Sequence, residues 1–205
     1  MISEEQLILV DEHNRATGTG GKTAVHRSGL LHRAFSIFMV DDRGRIVLQQ
    51  RSPKKYHSGG LWANSCCGHP RPGERTLVAA RRRLGEELGV TGELSFGFFA
   101  RYQAELGHGM HENEFVYVYF GRLETQPKPD PAEVADVAHW SFDDISRRIE
   151  RDPDAFTFWF KHYFQNHGAE ISRLARLVSR FRSSDHGAAP SFANFGIEGH
   201  QGAYS

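Results

Sequence analysis

Three observations predict a mixed α/β fold for this 205-residue chain. Short apolar runs read as strands, one amphipathic helix lies among them, and two helical segments follow the last strand. Residues 6–10 are the first strand. Residues 35–40 and 45–50 follow, joined by Asp41-Asp42-Arg43-Gly44, a turn sequence that makes the pair a hairpin. From 74 to 88, Leu77, Ala80, Leu84 and Leu88 recur at helical spacing, and Gly89 stands where a helix C-terminus favours glycine. Residues 98–102 and 115–120 read as strands, the second aromatic and β-branched. Three prolines make 126–131 a loop. Ser141 with Asp144 marks a helix start, and helices are predicted over 155–164 and near 171–181. Residues 1–182 thus form a single domain. The stretch 183–205, rich in Gly, Ala and Ser, lacks periodicity and is read as a loosely ordered tail.

Composition narrows the function. With 39% hydrophobic and 24% charged residues, the chain supports one substantial core. Lys plus Arg and Asp plus Glu both number 25, so no general attraction to nucleic acid or an acidic membrane is expected, and any anionic ligand must be held locally. Glu4 and Glu5 interrupt the first ten residues, and no apolar run nears the roughly 20 residues needed to cross a bilayer. A cytoplasmic location without membrane insertion is the expectation. Cys66 and Cys67 are neighbours, which is no disulfide framework, so both thiols are expected to be free.

Three constellations carry chemistry. Glu112 and Glu114 lead into the 115–120 strand, and in extended backbone they project from one face. Such close like charges call for a cation or a shared proton, unless both are simply solvated. His26, His32 and His69 could complete a transition-metal set with them, although each of twelve histidines could equally be an ordinary surface or core residue. The second constellation runs from Gly68 through Glu74 to Arg82-Arg83-Leu84-Gly85-Glu86-Glu87-Leu88-Gly89-Val90 and resembles the Nudix box, a loop, helix and loop that holds divalent ions on a diphosphate. Where that pattern requires Arg-Glu, this chain has Arg82-Arg83. Arg83 and Glu87, four apart, could also be no more than a surface ion pair. The third is Asn64-Ser65-Cys66-Cys67-Gly68-His69-Pro70. Cys67 is either a small buried hydrophobe or, with a cation nearby to favour thiolate, a proton-transfer group.

Together these residues resemble the type I isopentenyl-diphosphate isomerases, a branch of the Nudix superfamily, over roughly residues 5–165. The resemblance is carried by the 64–70 motif, Glu112-Asn113-Glu114, Lys22-Thr23-Ala24-Val25-His26 with Leu31-His32, the altered box at Arg83 and Glu87, Arg101-Tyr102-Gln103-Ala104, and Trp62. It implies a Nudix-like α/β/α sandwich with additional C-terminal helices. It also implies a reaction, the interconversion of isopentenyl and dimethylallyl diphosphate by protonation and deprotonation through a tertiary cation. Cys67 would serve one face of the substrate, and Glu114, assisted by Tyr102, the other. His26, His32, His69, Glu112 and Glu114 would hold one Mn2+, Zn2+ or Mg2+, and Glu87 a Mg2+ on the diphosphate. Lys22, Arg51, Lys55 and Arg83 would neutralise that diphosphate, and Trp159 would be the aromatic wall, its other reading being ordinary core packing. The implied partner is the small allylic or homoallylic diphosphate alone, with the protein a monomer or weak homodimer. Arg33, after His32, and the added His108 and His111 fall outside the pattern. Two rivals stand beside this reading. A Nudix pyrophosphohydrolase would release phosphate, and a structural metal site or diphosphate sensor would not need Cys67.

Overall fold

The central strand, β3 (His32–Val40), is almost entirely buried, and its two edges organise the rest of the molecule. The structure is a computed structural model, and it describes residues 4–55, 57–107 and 109–180. The predicted tail and Phe181 lie outside the described residues.

In chain order, β1 (Gln6–Val10) and β2 (Ala16–Gly21) form an antiparallel ribbon, α1 (Lys22–Ser28) leads into β3, and β4 (Ile46–Arg51) returns from it. Short strands β5 (Trp62–Ala63) and β6 (Cys66–Gly68) precede helix α2 (Thr76–Leu88). A long hairpin follows, β7 (Leu94–Gly107) with β8 (Met110–Arg122), then β9 (Val134–Trp140), α3 (Phe142–Arg151) and α4 (Phe158–Arg180). Along one edge β3 pairs in parallel with β8 over its whole length, His32 opposite Glu114 through Val40 opposite Arg122. Three strands share the other edge: β1 at Leu9, β6 at Ser36 and its neighbours, and β4 at Met39 and Val40.

The predicted hairpin between β3 and β4 therefore exists for only two residue pairs. On its other edge β4 pairs with β9 along its whole length, and past Val47 it meets β5, at Gln49 and Gln50, in place of β3. The gap it leaves on β3 admits β6, which sets Cys67 opposite Ser36. Asn64 and Ser65 secure this arrangement. Asn64 Nδ2 donates to the carbonyls of Ile37 and Cys66, at 3.1 and 2.9 Å. Ser65 Oγ accepts from Met39 N at 2.7 Å and donates to Val47 O at 2.6 Å. Buried main-chain groups left unmatched by the splayed strands are satisfied in this way.

The sheet is sandwiched as expected. On one face α2 packs Ala79, Ala80, Leu84 and Leu88 against Phe35, Ile37 and Met39. On the other, α3 and α4 pack Ile145, Phe160, Tyr163 and Leu174 against Phe38, Val118 and Phe120. The αL conformation of Gly89 (φ 63°) closes α2 at the predicted place. Ser141 caps α3, its Oγ accepting from Asp144 N at 3.1 Å. Helix α2 begins at Thr76 rather than 74, because Glu74 binds Arg71 N and the Arg82 guanidinium outside the helix. The two predicted C-terminal helices are the two halves of α4, which meet at a kink where His167 is non-helical (φ −130°, ψ 16°). Strands β7 and β8 outrun their predicted lengths. Gln103, Glu105, His111 and Asn113 look like loop residues in sequence, yet they are the outward positions of a continuing alternation.

Candidate active site

Glu114 lies where three neighbouring strands come into register. His32 of β3 stands opposite it on one side and Tyr102 of β7 on the other. Glu112, two residues earlier on β8, points to the same buried face, as the alternation of Met110, Glu112, Glu114 and Val116 requires. His26 arrives from α1 and His69 from the turn after β6. The ring centroids of His26 and His32 are 4.9 Å apart, and those of His32 and His69 5.0 Å. One potential ligand atom from each of His26, His32, His69 and Glu114 falls within 4.8 Å of the others.

This cluster suits a cation. His26 Nδ1 lies 2.7 Å from the carbonyl of Lys22, and His32 Nδ1 2.8 Å from that of Leu30. A ring nitrogen facing a carbonyl must carry the hydrogen, so Nε2 of both rings keeps its lone pair, the tautomer that metal-bound histidines adopt. His32 Nε2 is buried with no hydrogen-bond partner among the described residues. His69 donates through Nε2 to Glu114 Oε1 at 3.0 Å. Burial lowers the proton affinity of His69 to about 4 and that of His26 below its usual value, so both stay neutral at physiological pH. The buried His/Glu group could thus hold a divalent metal.

Glu112 is placed differently from the other four predicted ligands. Its Oε2 is 2.8 Å from the Tyr102 hydroxyl and its Oε1 is 3.8 Å from His57 Nε2. The same hydroxyl lies 2.7 Å from Glu114 Oε2. A phenol has one proton, so contact with both carboxyls calls for a second. Burial and the Glu114 charge push Glu112 well above the carboxylate range. Burial opposes ionisation of Glu114 too, but the hydrogen bond from His69 and the approach of the His32 ring, 3.5 Å from Oε1, hold that carboxyl low. Burial and both carboxylates keep Tyr102 protonated. The proton chain therefore runs from Glu112 through Tyr102 to the Glu114 carboxylate.

A pocket of about 410 Å³ opens beside this cluster. Every residue expected to act in proton transfer, metal binding or diphosphate binding lines it except His26 and His32, which are fully buried. Cys67 reaches it from β6, donating its thiol to Asn64 Oδ1 at 3.2 Å. Its proton affinity runs against the expected thiolate: burial pushes the thiol up to about 12, and the Ser36 hydrogen bond and Arg51 charge only partly offset this. Trp159 belongs to the core and lines the pocket at once, with the Arg51 guanidinium 5.2 Å from its ring centre.

Arg83 and Glu87 are no surface pair. Glu87 is buried, bonded to Arg83 and to Gln49 Nε2 at 3.0 Å, and Arg83 also meets Glu86 at 2.7 Å and Glu133 at 3.3 Å. Lys22 pairs with Glu5 at 2.8 Å, Lys55 pairs with Glu133, and Arg51 donates to the carbonyls of Ser58 and His57 at 3.2 and 3.3 Å. Arg33 turns to the opposite face of β3, where Asn14 binds it at 2.8 and 2.5 Å. His111 takes the outward position next to Glu112, and His108 lies outside the described residues. Sequence reasoning passed over Glu5, Lys54, His57 and Glu133, which also line the pocket.

The NUDIX domain family model matches residues 30–160. An isopentenyl-diphosphate Delta-isomerase of Serratia proteamaculans is 49% identical over 86% of this chain and 99% of its own. One from Burkholderia multivorans is 47% identical over 82% of this chain and 96% of its own. Among solved structures, a Deinococcus radiodurans protein aligns with a TM-score of 0.64 at 20% identity, over 86% of this chain and all of the other. A MutT protein of Methanosarcina mazei gives 0.56 at 18%, over 68% and 94%. These structural likenesses speak for the fold.

Proposed function

This chain belongs to the isopentenyl-diphosphate Delta-isomerases of the NUDIX family, and from that membership we propose that Cys67, Glu114 and Tyr102 carry the interconversion of isopentenyl and dimethylallyl diphosphate. The observation that carries this reading is the convergence, in one pocket, of a half-buried thiol, a proton chain ending on Glu114 and a ring of basic side chains.

The alkene of isopentenyl diphosphate is a weak base. An acid must protonate C4, leaving a tertiary cation at C3, and a base must remove a proton from C2. Cys67 and Glu114 are the two groups, and because the reaction runs both ways each is acid in one direction and base in the other. Cys67 is held as a thiol and so is charged with its proton. Tyr102, hydrogen-bonded to both carboxyls, passes a proton to or from Glu114 and keeps that carboxyl oriented. His26, His32, His69 and Glu114, with Glu112 alongside, would hold Mn2+, Zn2+ or Mg2+. A cation bound there would tune the proton affinity of Glu114. Glu87 would hold Mg2+ on the diphosphate, and Lys22, Arg51, Lys55 and Arg83 would bind its oxygens. Trp159 would face the cationic carbon with π density and help exclude water that would quench it. The protein would act in the cytoplasm on this small molecule alone.

The rival activity within the same family is hydrolysis of a nucleoside diphosphate derivative. Arg83 opposes it, since it brings a cation to Glu87 where the hydrolytic pattern has a further carboxylate. Incubation of the protein with Mg2+ and isopentenyl diphosphate separates the two. The expected result is dimethylallyl diphosphate with no release of phosphate or pyrophosphate. Phosphate release from nucleoside diphosphate derivatives without isomer formation would overturn the proposal.

A further inference from the structure

Glu133 has no part in the proton chemistry, yet it stands among the pocket's cations. Its backbone is fixed on both sides, N–H to Asp130 O and carbonyl to Ser52 N, each at 2.9 Å, immediately before β9. From this mount one carboxylate oxygen takes the Lys55 ammonium and the other lies 3.3 Å from Arg83 Nη2. The three side chains are only 18 to 26% exposed, so the charges meet under partial shielding from water. Glu133 lines the pocket with its carboxylate turned to these two cations. Its contacts are directed at two of the groups assigned to the diphosphate.

We propose that Glu133 is a positioning carboxylate that sets diphosphate affinity: it orders Lys55 and Arg83 in the pocket and competes with the substrate diphosphate for them. This inference rests on the isomerase reading. Substrate and product carry the same diphosphate, so cations fully committed to it would bind both tightly and slow release without lowering the barrier. A fixed carboxylate sharing those cations weakens both complexes alike. Lys22 is shared with Glu5 in the same manner, at 2.8 Å, but Glu133 touches two cations and is the stronger lever.

The test compares E133Q and E133D with the wild-type protein, all loaded with Mg2+. Calorimetric binding of inorganic pyrophosphate and steady-state turnover of isopentenyl diphosphate are the two readouts. Glutamine keeps the shape and an acceptor for Lys55 but removes the charge. E133Q is expected to bind pyrophosphate about five- to tenfold tighter, with a steeper loss of affinity on adding salt. Its KM should fall by a similar factor without a loss of kcat/KM, and E133D should lie between E133Q and wild type. A merely structural strut would not tighten binding when cut. Unchanged or weaker pyrophosphate binding by E133Q, beside a wild-type protein that isomerises normally, would overturn this inference and leave the isomerase reading standing. A wild-type protein that neither isomerises the substrate nor binds pyrophosphate would overturn both.

Discussion

Burial pushes the Cys67 thiol up to about 12, so the thiolate is scarce at neutral pH. Cys67 should therefore alkylate slowly with iodoacetamide at pH 7 and faster as pH rises, with no plateau below pH 10. Mass spectrometry of timed samples checks this; rapid labelling at pH 7 that levels off by pH 8 would show a thiolate the geometry does not support. The residues a motif could reveal are those whose neighbours in sequence are also unusual: Cys67 beside His69, Glu112 beside Glu114. His57 and Glu133 were missed because nothing beside them is distinctive. His57 sits in an aperiodic loop before Gly59-Gly60, and only folding brings it within 3.8 Å of Glu112.

Among the elements, β6 depends most visibly on two side chains. S65A removes the hydroxyl serving Met39 N and Val47 O, leaving two buried main-chain groups unsatisfied, at a cost of about 1–3 kcal/mol each. Urea denaturation should show a loss of that size, and an unchanged midpoint would contradict the role given to Ser65. The turn between β3 and β4 is held by Asp41, which accepts from Arg43 N and Arg45 N, and Gly44 there adopts φ 75°. Burial raises the Asp41 pKa, but hydrogen bonds from the Arg45 backbone, His139 and the Arg45 side chain bring it below the usual 3.8. A depressed folded value contributes stability that is present above pH 3.8 and lost as pH falls through the folded value. D41N should thus lose less stability than wild type between pH 5 and pH 3, measured by thermal melts; parallel losses would refute this. The hairpin itself was legible from Asp41-Asp42-Arg43-Gly44. Its early splaying was not, because the strands that take its place, β6 on β3 and β5 on β4, are set by long-range packing. β2 and α1 were also illegible, one with Ala16 as its single apolar residue and the other only seven residues long.

At the scale of the whole molecule, the sandwich brings α1, β3, β6, β7 and β8 together at one buried cluster of histidines and carboxylates. A metal bound there links elements that are distant in sequence, so its removal should be felt globally. Chelator treatment should lower the Tm by several degrees and abolish turnover, both restored by a divalent cation, whereas H32A should show little response to chelator. Equal Tm values with and without chelator would count against a metal in the cluster. The strands and helices were readable from periodicity, the layered sandwich and the cluster from motif resemblance. The exchange of Lys55 and Arg83 between Glu133 and a diphosphate was not, since it depends on side chains brought together from α2 and two loops. The most direct test of the account is proton NMR of isopentenyl diphosphate in deuterated water, with metal-reconstituted wild type beside C67A and E114Q. Dimethylallyl diphosphate carrying deuterium at the exchanged carbons, formed by wild type and lost in both variants, is the predicted result; unchanged substrate with the metal-loaded wild type, or full activity in C67A, would contradict it.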